Sequence, residues 1–212
     1  MRTVKIEEFF RHIAPQAENC PDFVIRTEVG NTINDICHET HCLTYRSFFW
    51  TQPGRQEYVV EMPEGLDILQ IRHMYCNGHR VMPIRMDELA KGARGLDWEL
   101  FPGHPRFYTR QNEDEVVLSP VPARPELIRV EVVASVRREN GIVPAVFYNE
   151  YLDAVVYGAL SRIFRIAGQT YTNIRQADEY DVRYHGKLHD IKIDTTRDFT
   201  RTTGTVGYNR IV

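Results

Sequence analysis

No run of about 18 apolar residues occurs in the 212-residue sequence, so no segment is suited to crossing a bilayer as a helix. The opening stretch, MRTVKIEEFFRHIAPQ, carries acids inside its apolar part, which the apolar core of a secretion leader would not tolerate. Cysteine is scarce: Cys20, Cys37, Cys42 and Cys76 follow no disulfide-framework spacing, which predicts free thiols in a reducing compartment. Charge of one sign is lacking as well. A formal charge of −3 argues against a surface built throughout for nucleic acid, because phosphate affinity needs clustered Lys and Arg. There is no P-loop, no G-x-G-x-x-G, no G-x-S-x-G, and no nucleophile with an evident base partner. What remains is a chain with 42% hydrophobic residues, enough to bury a core in one or two domains.

Helical periodicity opens and closes that chain. Residues 3–14 space Val4, Ile6, Phe9, Phe10 and Ile13 at threes and fours, with Thr3 as a cap and Pro15 as a stop. Ile25, Val29, Ile33 and Ile36 make one face of a second helix, predicted from about Pro21 to about Leu43. After Pro144, one long helix is predicted with Phe147, Tyr151, Val155, Ala159, Ile163 and Ile166 on its face, ended by Gly168. Gly158 and Ala159 leave room there for a neighbouring helix. A fourth helix carries Ile174, Ala177, Tyr180, Tyr184, Leu188 and Ile191.

Between these lie strand signals. They cover Tyr45–Trp50, Glu57–Met62, Ile68–Tyr75, His79–Ile84, Phe107–Gln111, Glu115–Leu118 and Leu127–Val136. Asn77-Gly78 is the strongest hairpin signal, since both residues tolerate positive φ. Met86 to Ala93 has the makings of a helical turn. The predicted fold is α+β: a four-helix bundle with an inserted antiparallel β-sandwich or barrel and an extended C-terminal arm. Residues 1–43 and 144–194 are assigned to the bundle, 44–143 to the β-domain and 195–212 to the arm.

Candidate chemistry is thin. Cys37, His38, His41 and Cys42 include donor pairs at i, i+4, which suits zinc, but the histidines are three apart and Cys37 lies on the apolar face. A buried cysteine and solvated histidines at a helix end are the expectation. Glu7-Glu8, Asp87-Glu88 and Glu113-Asp114-Glu115 read as solvated surface charge, and KGARGL at 91–96 as a loop. The aromatics Trp50, Tyr58, Tyr75, Trp98, Phe107 and Tyr108 read as sandwich core, or as a groove for a carbohydrate or peptide. No cofactor, metal or catalytic set is expected. In the arm, Arg197, Arg201 and Arg210 face only Asp198, leaving a side-chain charge of +2, with Phe199, Tyr208 and Ile211 interleaved. Arg and aromatic anchors are the types that carry interface energy.

Five motifs in order then carry a family resemblance: Pro105-Arg106-Phe107-Tyr108, Leu118-Ser119-Pro120-Val121-Pro122, Arg129-Val130-Glu131-Val132-Val133, Val143-Pro144, and the run EYLDAVVYGALSR from Glu150 to Arg162. Together they resemble the tail tubular protein A, or phage adaptor, family of short-tailed bacteriophages, over about Pro21 to Asp194. The resemblance implies a virion structural protein without enzymatic activity. It implies a ring, commonly of twelve copies, below the portal protein, assembled in the host cytoplasm and located in the virion neck. Double-stranded DNA would pass transiently through its channel, and a nozzle or other tail protein would follow on the far side. The arm is expected to dock the portal through Phe199, Arg201, Tyr208 and Arg210. The competing expectation is a β-domain binding module for a carbohydrate or peptide in a tail or baseplate.

Overall fold

The computed structural model describes residues 1–85, 87–88, 102–138 and 140–196. It is an α+β arrangement of helices packed against one end of a curled seven-stranded sheet.

The chain begins in a strand rather than a helix. β1 (Thr3–Lys5) pairs antiparallel with β11 (Ile142–Pro144), placing Val4 opposite Val143. Only then come a 3-10 turn (Ile6–Phe9) and one turn of helix, α1 (Phe10–Ile13), which bury Ile6, Phe9 and Ile13 as the spacing predicts. Thr3 is therefore a paired strand residue, not a cap. An extended partner strand completes the backbone bonds of residues 3–5, and local helical spacing cannot compete with that.

α2 (Asp22–Thr40) buries Ile25, Val29, Ile33 and Ile36 completely and stops where His41 adopts the left-handed conformation, φ 53°. The predicted long helix after Pro144 is divided. α3 (Val146–Asn149) and α4 (Leu152–Ile163) are separated at Tyr151, whose φ of −111° and ψ of 18° leave the helical region. The predicted face survives the break as far as the helix runs, since Phe147, Tyr151, Val155, Ala159 and Ile163 are all buried, while Ile166, beyond the helix end, is half-buried. α4 stops at Ile163, ahead of the predicted Gly168, which lies in the following turn at φ +76°. α5 (Ile174–Thr196) is the longest helix.

α2, α4 and α5 pack on one another pairwise. A bundle of four comparable helices is not shown, because the first expected helix is reduced to a single α turn. Ion pairs line the seams: Arg162 with Asp35, Arg165 with Asp178 at 3.1 Å, and Lys187 with Asp153 at 3.2 Å. Each is at least a third exposed and is worth at most about 1 kcal/mol, so apolar burial holds the helices together.

The strands are β2 (Thr44–Trp50), β3 (Glu57–Val59), β4 (Leu66–Cys76), β5 (His79–Pro83), β7 (Phe107–Arg110), β8 (Glu115–Ser119) and β10 (Leu127–Val136), with β6 (Pro102–Gly103) and β9 (Val121–Pro122) as a small separate pair. Their order is β2-β10-β4-β5-β7-β8-β3. All neighbours are antiparallel except β5 and β7, where Met82 and Phe107 meet in parallel register. The sequence predicted a sandwich or barrel; the observed sheet is a curled half-barrel. β2 and β3 are its opposite ends, yet Phe49 and Tyr58 on them stack at 5.1 Å and 17°. A twisted sheet can thus bury its inner face against itself without a second sheet.

β10 joins the two cores. Ile128, Val130 and Val132 face the half-barrel interior, with Met74, Val81 and Leu118. Register shifts after Glu131 and Val133 break the alternation, and Ala134 and Val136 join the helical core. Asn34 of α2, itself buried, donates to the Val136 carbonyl at 3.0 Å and so satisfies a backbone acceptor across that junction.

Candidate interaction surfaces

The four arm residues singled out by sequence, Phe199, Arg201, Tyr208 and Arg210, lie outside the described residues. The arm's expected start at Thr195 is displaced, because α5 runs through Thr196. The Thr195 hydroxyl donates to the Ile191 carbonyl at 2.9 Å and that of Thr196 to Lys192 at 2.7 Å, which extends the helical hydrogen bonding of the last turn. Thr195 is buried and lines an open groove of about 620 Å³ with Tyr45, Arg46, His73 and Glu131.

β2 alternates cleanly. Tyr45, Ser47 and Phe49 face inward, while Arg46, Phe48 and Trp50 face out, the last two 57% and 64% exposed. Register carries this outward row across the sheet. Trp50 pairs with Leu127, Phe48 with Arg129, Arg129 with Tyr75, Tyr75 with Arg80, and Met82 with Phe107. The Arg129 guanidinium lies over the Tyr75 ring at 4.4 Å. Met82 and Phe107 are also exposed. An outward face of aromatic, methionine and arginine side chains has the composition of an interface core rather than of an ordinary solvated face. It also adjoins a strand edge without a partner among the described residues.

This sorting corrects the single aromatic group read from sequence. Tyr58 and Tyr108 are inside, and the Tyr58 hydroxyl accepts from the Gln52 amide at 2.9 Å. Trp50, Tyr75 and Phe107 belong to the outward face, and Trp98 lies outside the described residues. These residues sit on opposite faces of one sheet, so they form neither one core nor one groove. On the helical side, Phe23 at the start of α2 and Ile174 and Val182 on α5 are large apolar side chains left exposed.

The carboxylate pairs are surface groups. Glu7 pairs with Arg26, Glu8 with Arg11, and both Asp87 and Glu88 with Arg85. Glu113 and Asp114 are exposed in the β7–β8 turn. Most of the 86–93 turn and all of 91–96 lie outside the described residues.

Cys37 and Cys42 are buried against each other, while His38 and His41 are exposed, so the hexapeptide's four donors do not converge. The hydrogen bond between the two thiols holds the proton on Cys37, whose pKa is raised well above the usual range, and lowers that of Cys42.

A convergent set exists elsewhere. Cys76 ends β4, His104 follows β6 and Glu126 precedes β10. The Cys76 thiol donates to Glu126 Oε2 at 3.2 Å, His104 Nδ1 lies 2.8 Å from the same oxygen and 3.8 Å from the sulfur, and Arg124 Nε donates to Glu126 Oε1 at 2.9 Å. Burial, and then the hydrogen bond to Glu126, push the thiol up to about 12. Burial alone would raise the Glu126 carboxyl; the bonds from Arg124, Cys76 and His104 outweigh it and hold that carboxyl below its usual range. The sequence held one local hint of this set: Cys76-Asn77-Gly78-His79 is a Cys-x-x-His across the hairpin turn. His104 and Glu126 carried none.

A family model described as SU10 adaptor protein matches residues 13–207. The match begins at Ile13, the last residue of α1, ahead of the Pro21 at which the resemblance started, and it takes in most of the stretch beyond α5, including the positions of Phe199 and Arg201. No curated protein matches the chain. Among the described residues, no helix is long and apolar enough to cross a membrane.

Proposed function

This chain belongs to the SU10 adaptor protein family, phage adaptors with a structural role in the virion, and from that premise we propose that it assembles into a ring joining the head to the tail. The ring, of twelve copies as the family resemblance implies, would lie below the portal protein in the virion neck. It would pass double-stranded DNA through its channel and receive the next tail or nozzle protein on its far side. The observation that carries this reading is the family match across residues 13–207.

Two features of the fold support it. A closed ring needs a heterologous interface, in which one surface of a subunit meets a different surface of the next. The outward sheet face around Phe48 and Trp50, and the exposed apolar side chains Phe23, Ile174 and Val182 on the helices, offer unlike apolar positions to such an interface. A net charge of −3 also suits a passage in which DNA slides without sticking. The division into a helical part (1–43 and 144–194), a β-part (44–143) and a C-terminal arm is part of the same proposal. The arm is assigned to the portal, with Phe199, Arg201, Tyr208 and Arg210 as its anchors. It would engage as an extended segment, in a groove or along a strand edge.

A chain ending at Thr196 is expected to keep its melting temperature within about 2 °C, since a terminal tail adds little to a packed core. The same chain should lose co-sedimentation with portal rings. Docking of unchanged affinity would remove the arm from this role. A second variant, Phe48→Ser with Trp50→Ser, should cost about 0.5 kcal/mol or less per site, as exposed positions do. Its particle mass with portal rings should fall from a multi-copy ring to dispersed subunits. Wild-type chain that stays monomeric and binds a glycan or peptide one-to-one would favour the β-domain binding module instead.

A further inference from the structure

We infer that Cys76, His104 and Glu126 form a binding site for a divalent zinc-class ion at the tip of the half-barrel. Among the described residues, theirs are the three His, Cys and carboxylate donor atoms that gather within 4.8 Å of one another. Their separations are 3.8 Å for sulfur to Nδ1, 3.2 Å for sulfur to Oε2 and 2.8 Å for Nδ1 to Oε2. Tetrahedral zinc, with bonds of about 2.3 Å to sulfur and about 2.0–2.2 Å to nitrogen and oxygen, needs donor separations of about 3.4–3.6 Å. The two distances to Oε2 must lengthen and the sulfur–Nδ1 distance shorten slightly, which a small retreat of the carboxylate and a small shift of the imidazole toward the sulfur achieve. A thiolate, an imidazole and a carboxylate together are a donor set that suits zinc and not calcium or magnesium, which take oxygen alone.

The supporting shell is already in place. Glu126 is only 1% exposed, and its two oxygens have separate tasks: Oε1 accepts from Arg124 while Oε2 faces Cys76 and His104. Its backbone is fixed on both sides by Thr51, whose hydroxyl accepts the Glu126 amide at 2.8 Å and whose amide donates to the Glu126 carbonyl at 2.9 Å. The hairpin turn is tied to the same strand, with the Asn77 amide donating to the Leu127 carbonyl at 2.9 Å. A carboxylate oriented by a second group, on a rigid backbone, is the usual outer shell of a metal ligand. The open side faces solvent past His104, and His79 stands across the turn with its ring edge-on to that of His104 at 5.9 Å. His79 or water fills the fourth position.

Binding replaces the hydrogen bonds with metal–ligand bonds. The Cys76 thiol gives up its proton to solvent, and neutral His104 carries its proton on Nε2 so that Nδ1 can ligate. The ion would fasten three segments far apart in sequence: the β4–β5 turn, the chain leading to β7, and the entry to β10.

The test uses the full chain, reduced and freed of metal with a chelator, and Co²⁺ as a spectroscopic probe. One Co²⁺ per chain should bind with thiolate-to-cobalt charge-transfer absorption, Zn²⁺ should displace it, and Zn²⁺ should raise the melting temperature. Cys76→Ser should abolish the charge-transfer band, and His104→Ala should weaken binding by about 100-fold or more through the loss of a ligand. The His104 side chain is about a third exposed, and without it Glu126 keeps its bonds from Arg124 and Cys76, so that variant should melt close to the wild-type chain when no metal is present. Cys37→Ser with Cys42→Ser should bind Co²⁺ as the wild type does. A native chain with no charge-transfer band, or a band that survives Cys76→Ser, would overturn the assignment.

Discussion

Replacing Gly158 with leucine should lower stability by about 3 kcal/mol or more, even though leucine is the better helix former. A side chain there has nowhere to go. A Cβ on Gly158 would lie 2.4 Å from Thr32 Cγ2 on α2 and 2.9 Å from the Tyr184 ring on α5. Thr32 cannot rotate away freely, because its hydroxyl donates to the Glu28 carbonyl at 2.7 Å. Tyr184 is buried as a whole ring. The helices would have to move apart, and the apolar contacts of three helices would loosen together. Against this stands a gain in helix propensity of about 1 kcal/mol for removing a glycine, so overpacking wins. For a chain of this size, 3 kcal/mol corresponds to a fall in melting temperature of about 6–12 °C. Gly186 on α5 is the control. Nothing lies within 4 Å of a Cβ built there, so Gly186→Ala should gain up to about 1 kcal/mol. If Gly158→Leu melted at or above the wild-type temperature, the close approach of the three helices would be wrong.

The second large effect is expected at Phe147→Ala, with a loss of about 3–5 kcal/mol in urea denaturation. Phe147 is fully buried and meets Tyr151 edge-on, with ring centres 6.0 Å apart. It sits in α3, directly after β11, and belongs to the core that holds Ile33 of α2, Leu160 of α4, Ile191 of α5 and the sheet residues Ala134 and Val136. Truncation would open a cavity where helices and sheet meet. The contrast is with Trp50→Ala, a larger side chain whose removal should cost about 0.5 kcal/mol or less, because most of it is in water already. A loss under about 1 kcal/mol at Phe147 would mean that the junction repacks.

The order of these two residues could not be read from residue type, since a buried phenylalanine and an exposed tryptophan look alike in sequence. Periodicity did separate them in part. The face Phe147, Tyr151, Val155, Ala159, Ile163 and Ile166 predicted burial; the first five are buried and Ile166, past the helix end, is half-buried. The break at Tyr151 was invisible, because neither proline nor glycine occurs between Ala145 and Tyr157 to announce it. The metal-ligand candidates were harder still. Cys76 lies 28 residues from His104 and 50 from Glu126, so no local spacing joins them. The donors at 37–42 sit together in sequence, yet the helix end turns its cysteines inward and its histidines outward.

The sequence by itself determined the helical faces of α2 and α4, the face of α5 at Ala177, Tyr184, Leu188 and Ile191 but not at the exposed Ile174, the run of β10, the Asn77-Gly78 hairpin and the family. Each depends on neighbours within about a turn or a strand length, or on an ordered set of short motifs. Tertiary structure alone decided the strand order β2-β10-β4-β5-β7-β8-β3 and the parallel meeting of β5 with β7. It made a strand of Thr3–Lys5, by supplying β11 as a partner 139 residues away from Val4 at Val143. It also left one sheet curled into a half-barrel where a sandwich or barrel was expected, and sent Tyr58 and Trp50 to opposite faces. The reason is common to all of these. Backbone pairing and burial are satisfied by groups distant in the chain, and period-two or period-four patterning records that a residue has a face, but not what that face will meet.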